Sequence, residues 1–244
     1  MSKKIPRLRM FAGANGSGKS TLKYAVIDIA SLGIYINPDD IEREIKTQGF
    51  LDFSAYQVKT NADEVLSFFT NSSFLKSANL LDETMKLTFD DGKLSFANIE
   101  VNSYFASVVS DFIRHKLLEN SISFTFETVM SSPDKVEFLQ KAQQCGFRTY
   151  LYYITTEDPI INISRVQYRV EMGGHSVPEN KIIERHQRSL DLLFDAVQYS
   201  NRAYIFDNSG DVHVWLAEIT DGEELEMKTD FMTTWFKTAL WDKF

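Results

Sequence analysis

The stretch Gly13-Ala14-Asn15-Gly16-Ser17-Gly18-Lys19-Ser20 constrains the fold more than any other feature of the 244-residue chain. It satisfies every fixed position of the pattern G-x-x-x-x-G-K-[ST], in which a short loop closes around an anion. Glycines let the backbone turn its N–H groups inward, and the helix that follows adds the positive end of its dipole. The flanks fit. Leu8-Arg9-Met10-Phe11-Ala12 reads as a short buried strand, and Thr21 to Ile27 reads as a helix. Strand, loop and helix in that order predict a phosphate site with Gly13, Ala14, Asn15, Gly16, Ser17, Gly18, Lys19, Ser20 and Thr21 as its cradle. Lys19 would sit between the β- and γ-phosphates, and the Ser20 hydroxyl would ligate Mg2+. The competing reading, a glycine-rich turn with a solvated lysine, is disfavoured by the same flanks.

Composition narrows the partners. A net charge of −8 argues against a general nucleic-acid binder, which carries a basic face, but one local positive pocket suffices for a small anion. The single cysteine, Cys145, cannot form an internal disulfide; it falls in a helical run and reads as a buried thiol. The start Met1-Ser2-Lys3-Lys4 is basic, but Pro6, Arg7 and Arg9 interrupt it. No apolar signal core develops, and no run approaches the ~20 residues of a membrane span. A cytoplasmic protein without a membrane role is expected. Tyr150, Tyr152 and Tyr153 sit in strand periods and read as packing rather than as a stacking platform.

Along the chain, Gly33 to Asn37 reads as a second strand, and Pro38-Asp39-Asp40 opens a short amphipathic helix with Ile41 and Ile45. Residues 49–102 read as an insertion, with a helical piece (Ala62, Val65, Leu66, Phe69) and a hairpin turning at Asp91-Gly92. A helix from Tyr104 to Leu118 and a strand from Ile122 to Phe126, ending in Glu127-Thr128, come next. Ser132-Pro133 suits the start of a helix to Gly146, Arg148 to Thr155 is a strand, and Asp158-Pro159 starts a helix that stops near Gly173-Gly174. Ser176-Val177-Pro178-Glu179 has capping-box spacing for one long helix through Val197. Ala203 to Phe206 is a strand, Val212 to Ile219 a last strand, and Phe231 to Leu240 a last helix. This alternation predicts an α/β fold in one domain spanning 1–244: a mainly parallel sheet with helices on both faces and an inserted helix-plus-hairpin segment. Residues 211–244 form a C-terminal extension. Ligands of such sheets lie beyond the carboxyl ends of the strands, where Asp39, Glu127 and Asp207-Asn208 fall.

Phosphoryl transfer needs positioning, charge neutralisation and a carboxylate to take the acceptor's proton. Asp39 is the first choice for that base and Asp40 the second; the alternative is that either only caps a helix. Asp40, Glu127 and Thr128 are assigned to the acceptor side, against the alternative, for Glu127, of a solvent-facing glutamate. Arg165 and Arg169 lie four apart, opposite a stripe of Ile163, Val166 and Val170, while Arg185 and Arg188 lie three apart on the next helix. Met172-Gly173-Gly174-His175 between them suits the hinge of a lid, with His175 a turn residue. Arginine matches phosphate through a bidentate fork. The alternative is arginines that only solvate helix faces. No His/Cys metal-ligand spacing occurs.

These residues resemble the zeta-toxin-like P-loop kinases. The matching elements are Gly13 to Thr21, Asn37-Pro38-Asp39, Phe126-Glu127-Thr128, Arg165 through Arg169-Val170, Gly173-Gly174-His175-Ser176-Val177-Pro178-Glu179, Arg185, Arg188-Ser189-Leu190 and Phe206-Asp207-Asn208-Ser209. The resemblance implies a P-loop NTPase fold and an ATP-dependent small-molecule kinase, whose best-known relatives phosphorylate the 3′-hydroxyl of UDP-N-acetylglucosamine. It implies ATP and Mg2+ at Lys19 and Ser20, Asp39 as base, Glu127 in the acceptor pocket, and Arg165 or Arg169 as a lid arginine. The family toxins place a second arginine near Gly174-His175, and Arg185 stands as its substitute. A small-molecule acceptor follows, and an antitoxin-like or regulatory protein partner is the second expectation. Two other classes stand beside this one: a nucleotide-gated binding module using residues 49–102 and Trp235, Phe236 and Trp241 as partner surfaces, and a kinase acting on an RNA or nucleotide end. The acidic balance counts against the latter.

Overall fold

The computed structural model describes residues 5–27, 31–174 and 176–244; the basic start Met1-Ser2-Lys3-Lys4 and the turn residue His175 lie outside the described residues. In chain order, β1 (Arg7–Ala12) leads through the glycine loop to α1 (Lys19–Ile27), β2 (Ile34–Ile36), α2 (Pro38–Gln48) and β3 (Phe50–Asp52). Then come α3 (Ala62–Thr70), α4 (Ser73–Ser77), α5 (Leu81–Thr84), β4 (Thr88–Asp90), β5 (Lys93–Ser95) and α6 (Ser103–Glu119). The remainder is β6 (Phe124–Thr128), α7 (Asp134–Gln144), β7 (Arg148–Thr155), α8 (Pro159–Glu171), α9 (Glu179–Asp191), α10 (Leu193–Gln198), β8 (Arg202–Asp207), β9 (Val214–Thr220), β10 (Glu224–Met227) and α11 (Thr234–Ala239). The chain divides into two compact units, Met1–Leu32 with Thr125–Phe244, and Gly33–Phe124.

In the first unit the strands lie in the order β10-β9-β8-β7-β1-β6. β1 pairs parallel with β7 and β7 parallel with β8, whereas β9 and β10 add antiparallel. The mainly parallel α/β fold is therefore as expected. Ala12 stands opposite Tyr153, and Thr155 opposite Asp207, so β1, β7 and β8 all end at one edge of the sheet. Everything that follows those strands emerges together there. One sheet face is built from Leu8, Met10, Leu151, Tyr153, Ala203 and Ile205, all fully buried. On the other, Phe11 stacks on Tyr152 at 4.7 Å between ring centres and Tyr152 on Tyr204 at 4.9 Å. Burial pushes the Tyr152 hydroxyl up to about 12, so these rings are neutral packing, as their strand period suggested.

The second unit has its own sheet, antiparallel in the order β3-β5-β4. The β4–β5 hairpin turns at Asp91 (φ 44°) and Gly92 (φ 75°), the left-handed pair that the Asp-Gly sequence favours. Its core is aromatic: Phe53 meets Phe112 at 5.4 Å, and Phe96 meets Phe105 at 6.0 Å and Phe69 at 6.3 Å. Lys116 on α6 reaches Glu64 on α3 at 2.9 Å, and its hydrogen bond holds the Glu64 carboxyl below its usual range. A lowered carboxylate stabilises the fold above its unfolded value and ceases to do so as pH falls through the folded one. Glu64→Gln should therefore flatten the loss of stability between roughly pH 5 and pH 3 in urea titrations. An unchanged acid profile would rule the link out.

Four expectations need correction. The segment from Glu179 to Gln198 is two helices, α9 and α10, joined at Leu192. Pro178 takes the cap position of α9 with no side-chain cap bond, because a proline side chain offers no acceptor there and Ser176 is two residues too far out. Pro133 likewise caps α7, and the Ser132 hydroxyl bonds the Asp134 carboxyl instead of a helix amide. The strand ending near Ile219 is not the last: Glu224–Met227 returns antiparallel through Asp221 (φ 51°) and Gly222 (φ 74°). Cys145 is exposed, since it caps α7 beyond the buried Val136, Leu139 and Ala142.

Candidate active site

The loop is shaped by what crowds it. Gly13 has φ +149°, and a Cβ there would stand 2.1 Å from the Ile154 carbonyl oxygen and 2.7 Å from Ser17 Oγ. Its N–H donates to the Thr128 carbonyl at 3.3 Å, which ties the loop's start to the end of β6. Ser17 N–H donates to the Ala14 carbonyl at 3.2 Å, closing the turn. Lys19 Nζ folds back over this turn and donates to the carbonyls of Gly13 (2.8 Å) and Ala14 (3.1 Å). The ammonium is thus held at the loop's mouth, and α1 begins at the same residue.

Two asparagines hold the outer side of the loop. Asn162 on α8 donates to the Asn15 carbonyl at 2.9 Å, and its own oxygen accepts from Thr156 Oγ1 at 2.5 Å. Asn208, just beyond β8, donates to the Ser17 carbonyl at 2.8 Å. A trans peptide points its C=O and the next N–H in opposite directions. Pinning the Asn15 and Ser17 oxygens therefore aims the Gly16 and Gly18 N–H groups the other way, which is what an anion cradle requires. Asp158 starts α8 through its side chain, which accepts from Ile160 N–H at 2.8 Å. That cap and the buried Val166 orient the helix so that Asn162, wholly buried, meets the loop. A polar residue in the inward stripe of α8 is the sequence signal for Asn162, a role the glycine loop alone does not announce.

The arginines divide. Arg185 Nη1 donates to Asn15 Oδ1 at 3.1 Å, so α9 brings this guanidinium to the loop. Arg165 donates to the carbonyls of Asn208 (2.8 Å) and Gly210 (3.1 Å), at the end of β8. Arg169 is exposed near the end of α8, where its carbonyl accepts from Gly174 N–H at 2.8 Å. Arg188 is exposed on α9. Of the apolar stripe on α8, Val166 is buried but Val170 is 38% exposed. Glu127 is buried in β6, beside Thr128, whose hydroxyl accepts from Met130 N–H at 3.0 Å.

In the second unit, Asp39 and Asp40 occupy the first turn of α2. Asn37 performs the capping there, accepting from Asp39 N–H at 2.9 Å, with Pro38 at the first helical position. The cap reading of Asp39 is thereby removed: its carboxyl is exposed, while Asp40 pairs with Arg43.

The residues present fit a nucleoside triphosphate and its metal. Ser17 Oγ is buried without a hydrogen-bond partner beside the glycines that keep the cradle open. Ser20 and Thr21 are exposed on the first turn of α1. Among the described residues no group of three or more His, Cys, Asp and Glu side chains could hold a metal ion. Mg2+ would therefore share Ser20 with phosphate oxygens and water, as that ion prefers.

Comparison with known proteins gives independent support. A family model described as Zeta toxin matches residues 92–220, more than half of the chain, and starts well beyond the glycine loop. A protein of Haemophilus influenzae described as uncharacterized is 29% identical over 72 residues, covering 30% of this chain and 51% of its own length. Among solved structures, one of AvrRxo1-ORF1:-ORF2 with ATP aligns over 98% of this chain and 63% of that chain, at 15% identity and a TM-score of 0.57. One of the PezAT chromosomal toxin-antitoxin system of Streptococcus pneumoniae aligns over 99% of this chain and 86% of that chain, at 13% identity and a TM-score of 0.53. At such identities the structures speak for the fold alone. The chain spans half to two thirds of the length of the Haemophilus protein and the AvrRxo1 chain.

Proposed function

The chain belongs to the zeta toxin family, and from that premise we propose that it is an ATP-dependent phosphotransferase that moves the γ-phosphate to a hydroxyl of a small molecule. The observation that carries this is the loop itself, with Lys19 held at its mouth and Arg185 bonded to Asn15. A motor or a switch also needs a glycine loop, but an arginine delivered to it from α9 supplies positive charge against the negative charge that a transferring phosphoryl group develops.

In this reading the loop amides, Lys19 and Ser20 hold the donor; Mg2+, when bound, neutralises the β- and γ-oxygens. Arg185 and Arg169 stabilise the transferring group, with Gly173 and Gly174 as the hinge of the segment carrying them. Asp39 takes the proton from the acceptor hydroxyl, and Glu127 and Thr128 bind the acceptor. A nucleotide-activated amino sugar is the acceptor class we favour, from the family resemblance. A protein partner that restrains the activity is proposed too, since two of the similar solved structures are of AvrRxo1-ORF1:-ORF2 and of the PezAT toxin-antitoxin system. Among the described residues no helix is long and apolar enough to cross a membrane, consistent with the cytoplasmic setting proposed for such a kinase.

Mass spectrometry of metabolites incubated with the protein and γ-labelled ATP tests this directly. One phosphorylated acceptor should appear, and Asp39→Asn should slow its formation by about 10²- to 10⁴-fold with ATP affinity unchanged. Full transfer by Asp39→Asn would remove the assigned base. ATP-dependent capture of a protein without any phosphorylated product would replace the kinase with a nucleotide-gated binding module.

A further inference from the structure

We propose that the C-terminal helix α11 sets the shape of the nucleotide loop, with Trp235 and Asp207 as positioning residues that act through Asn208. This rests on the nucleotide-site reading above. It concerns a helix outside the residues matched by the family model.

Asp207, the last residue of β8, is buried, and its carboxyl accepts three hydrogen bonds. Ser209 N–H reaches Oδ1 at 2.9 Å, while Ser209 Oγ at 2.9 Å and Trp235 Nε1 at 2.8 Å both reach Oδ2. The same turn is fixed from its other side. Ser209 Oγ accepts from Glu157 N–H at 2.8 Å, and Glu157 Oε2 accepts from Thr234 N–H at 3.2 Å. α11 therefore grips both the segment that follows β7 and the segment that follows β8.

Asn208 lies between the two gripped residues, and its side-chain amide reaches the nucleotide loop. Its N–H donates to the Thr155 carbonyl at 2.8 Å, its carbonyl accepts from Arg165, and its amide holds the Ser17 oxygen. The fit is close, since a Cβ on Gly18 would stand 2.3 Å from Asn208 Nδ2. If Asp207 loses its tryptophan partner, the turn that presents this amide loses one of the three bonds that fix its direction, the one that comes from α11. The Ser17 carbonyl is then free to rotate, and the Gly18 N–H rotates with it. Trp235 also packs on Tyr153, whose hydroxyl lies 3.2 Å from Ser189 on α9, the helix that carries Arg185. The helix is thus tied to both the loop and the arginine that meets it.

A double-mutant cycle tests this, with equilibrium binding of the fluorescent probe mant-ATP to the full chain. Trp235→Phe and Asn208→Ala should each weaken binding roughly tenfold. The double variant should be no weaker than the worse single one, because both changes release the same carbonyl. Multiplying effects, or unchanged affinity in Trp235→Phe alongside a lowered melting temperature, would show a helix that only stabilises the fold. Should Trp235→Phe fail to fold, Ser209→Ala enters the same cycle, since it removes one donor to Asp207 and the acceptor for Glu157. Lys19→Ala separates the two ideas. Wild-type affinity in that variant sinks the nucleotide-site reading and the positioning role with it. Lost affinity there, with full affinity in Trp235→Phe, sinks the positioning role alone.

Discussion

Gly13→Ala should abolish nucleotide binding and destabilise the first unit by roughly 3 kcal/mol or more. The added methyl group would lie 2.1 Å from the Ile154 carbonyl oxygen, which belongs to β7 in the middle of a parallel sheet. No side chain can swing aside to relieve that contact, because the obstacle is backbone. The positive φ adds strain that an L residue does not accept cheaply. Either β1 and β7 separate, which breaks the sheet pairing, or the loop moves away and takes Lys19 with it. Differential scanning fluorimetry should show a melting point lower by about 6 °C or more. Gly210→Ala is the control: its Cβ would meet nothing within 4 Å, and its stability should stay within about 0.5 kcal/mol of wild type. Equal melting points for the two variants would show that the loop does not need its close approach to β7.

Lys19→Met should leave the fold intact and cut ATP turnover by about 10²- to 10³-fold. The methionine keeps much of the apolar stem and loses the ammonium, so the change isolates charge. In the structure that ammonium is spent on two loop carbonyls. Those bonds are exchangeable for phosphate oxygens, and the charge is most valuable where negative charge accumulates during transfer. Stability should fall by about 1–3 kcal/mol, as the carbonyls of Gly13 and Ala14, both buried residues, lose a donor. Turnover by the variant at the wild-type rate would leave the loop as a binding element only. A large loss of stability without a rate effect would make Lys19 a structural staple.

Local signals were legible in the chain. The glycine loop, the Pro38 start of α2 and the Asp91-Gly92 turn each depend on a few neighbouring residues, and each forms as its chemistry dictates; the cap on α2 is Asn37 and not an aspartate. What the sequence could not show is which residue meets the loop from afar. Asn162, Arg185 and Asn208 lie 147, 170 and 191 positions from their loop partners, and only the parallel order of β1, β7 and β8 brings them there. The arginine pairs illustrate the limit. Spacing made Arg165 and Arg185 equivalent, but the carbonyls of Asn208 and Gly210 hold the former. The missed strand β10 has a different cause: four residues alternating Glu-Leu-Glu-Met are too short a pattern to stand out. Cys145 is exposed because α7 ends one residue before it, a boundary that the helical pattern does not mark.

β10 also bears on how the protein behaves in a crowded solution. It is the outermost strand on its side of the sheet, so one line of its backbone hydrogen-bonding groups is open to any passing chain. Its alternation places Glu224 and Glu226 in solvent. Two like charges on four residues repel a second copy arriving in register, a device by which sheet proteins avoid stacking edge to edge. The same charges disfavour a partner strand that presents acidic side chains at this edge.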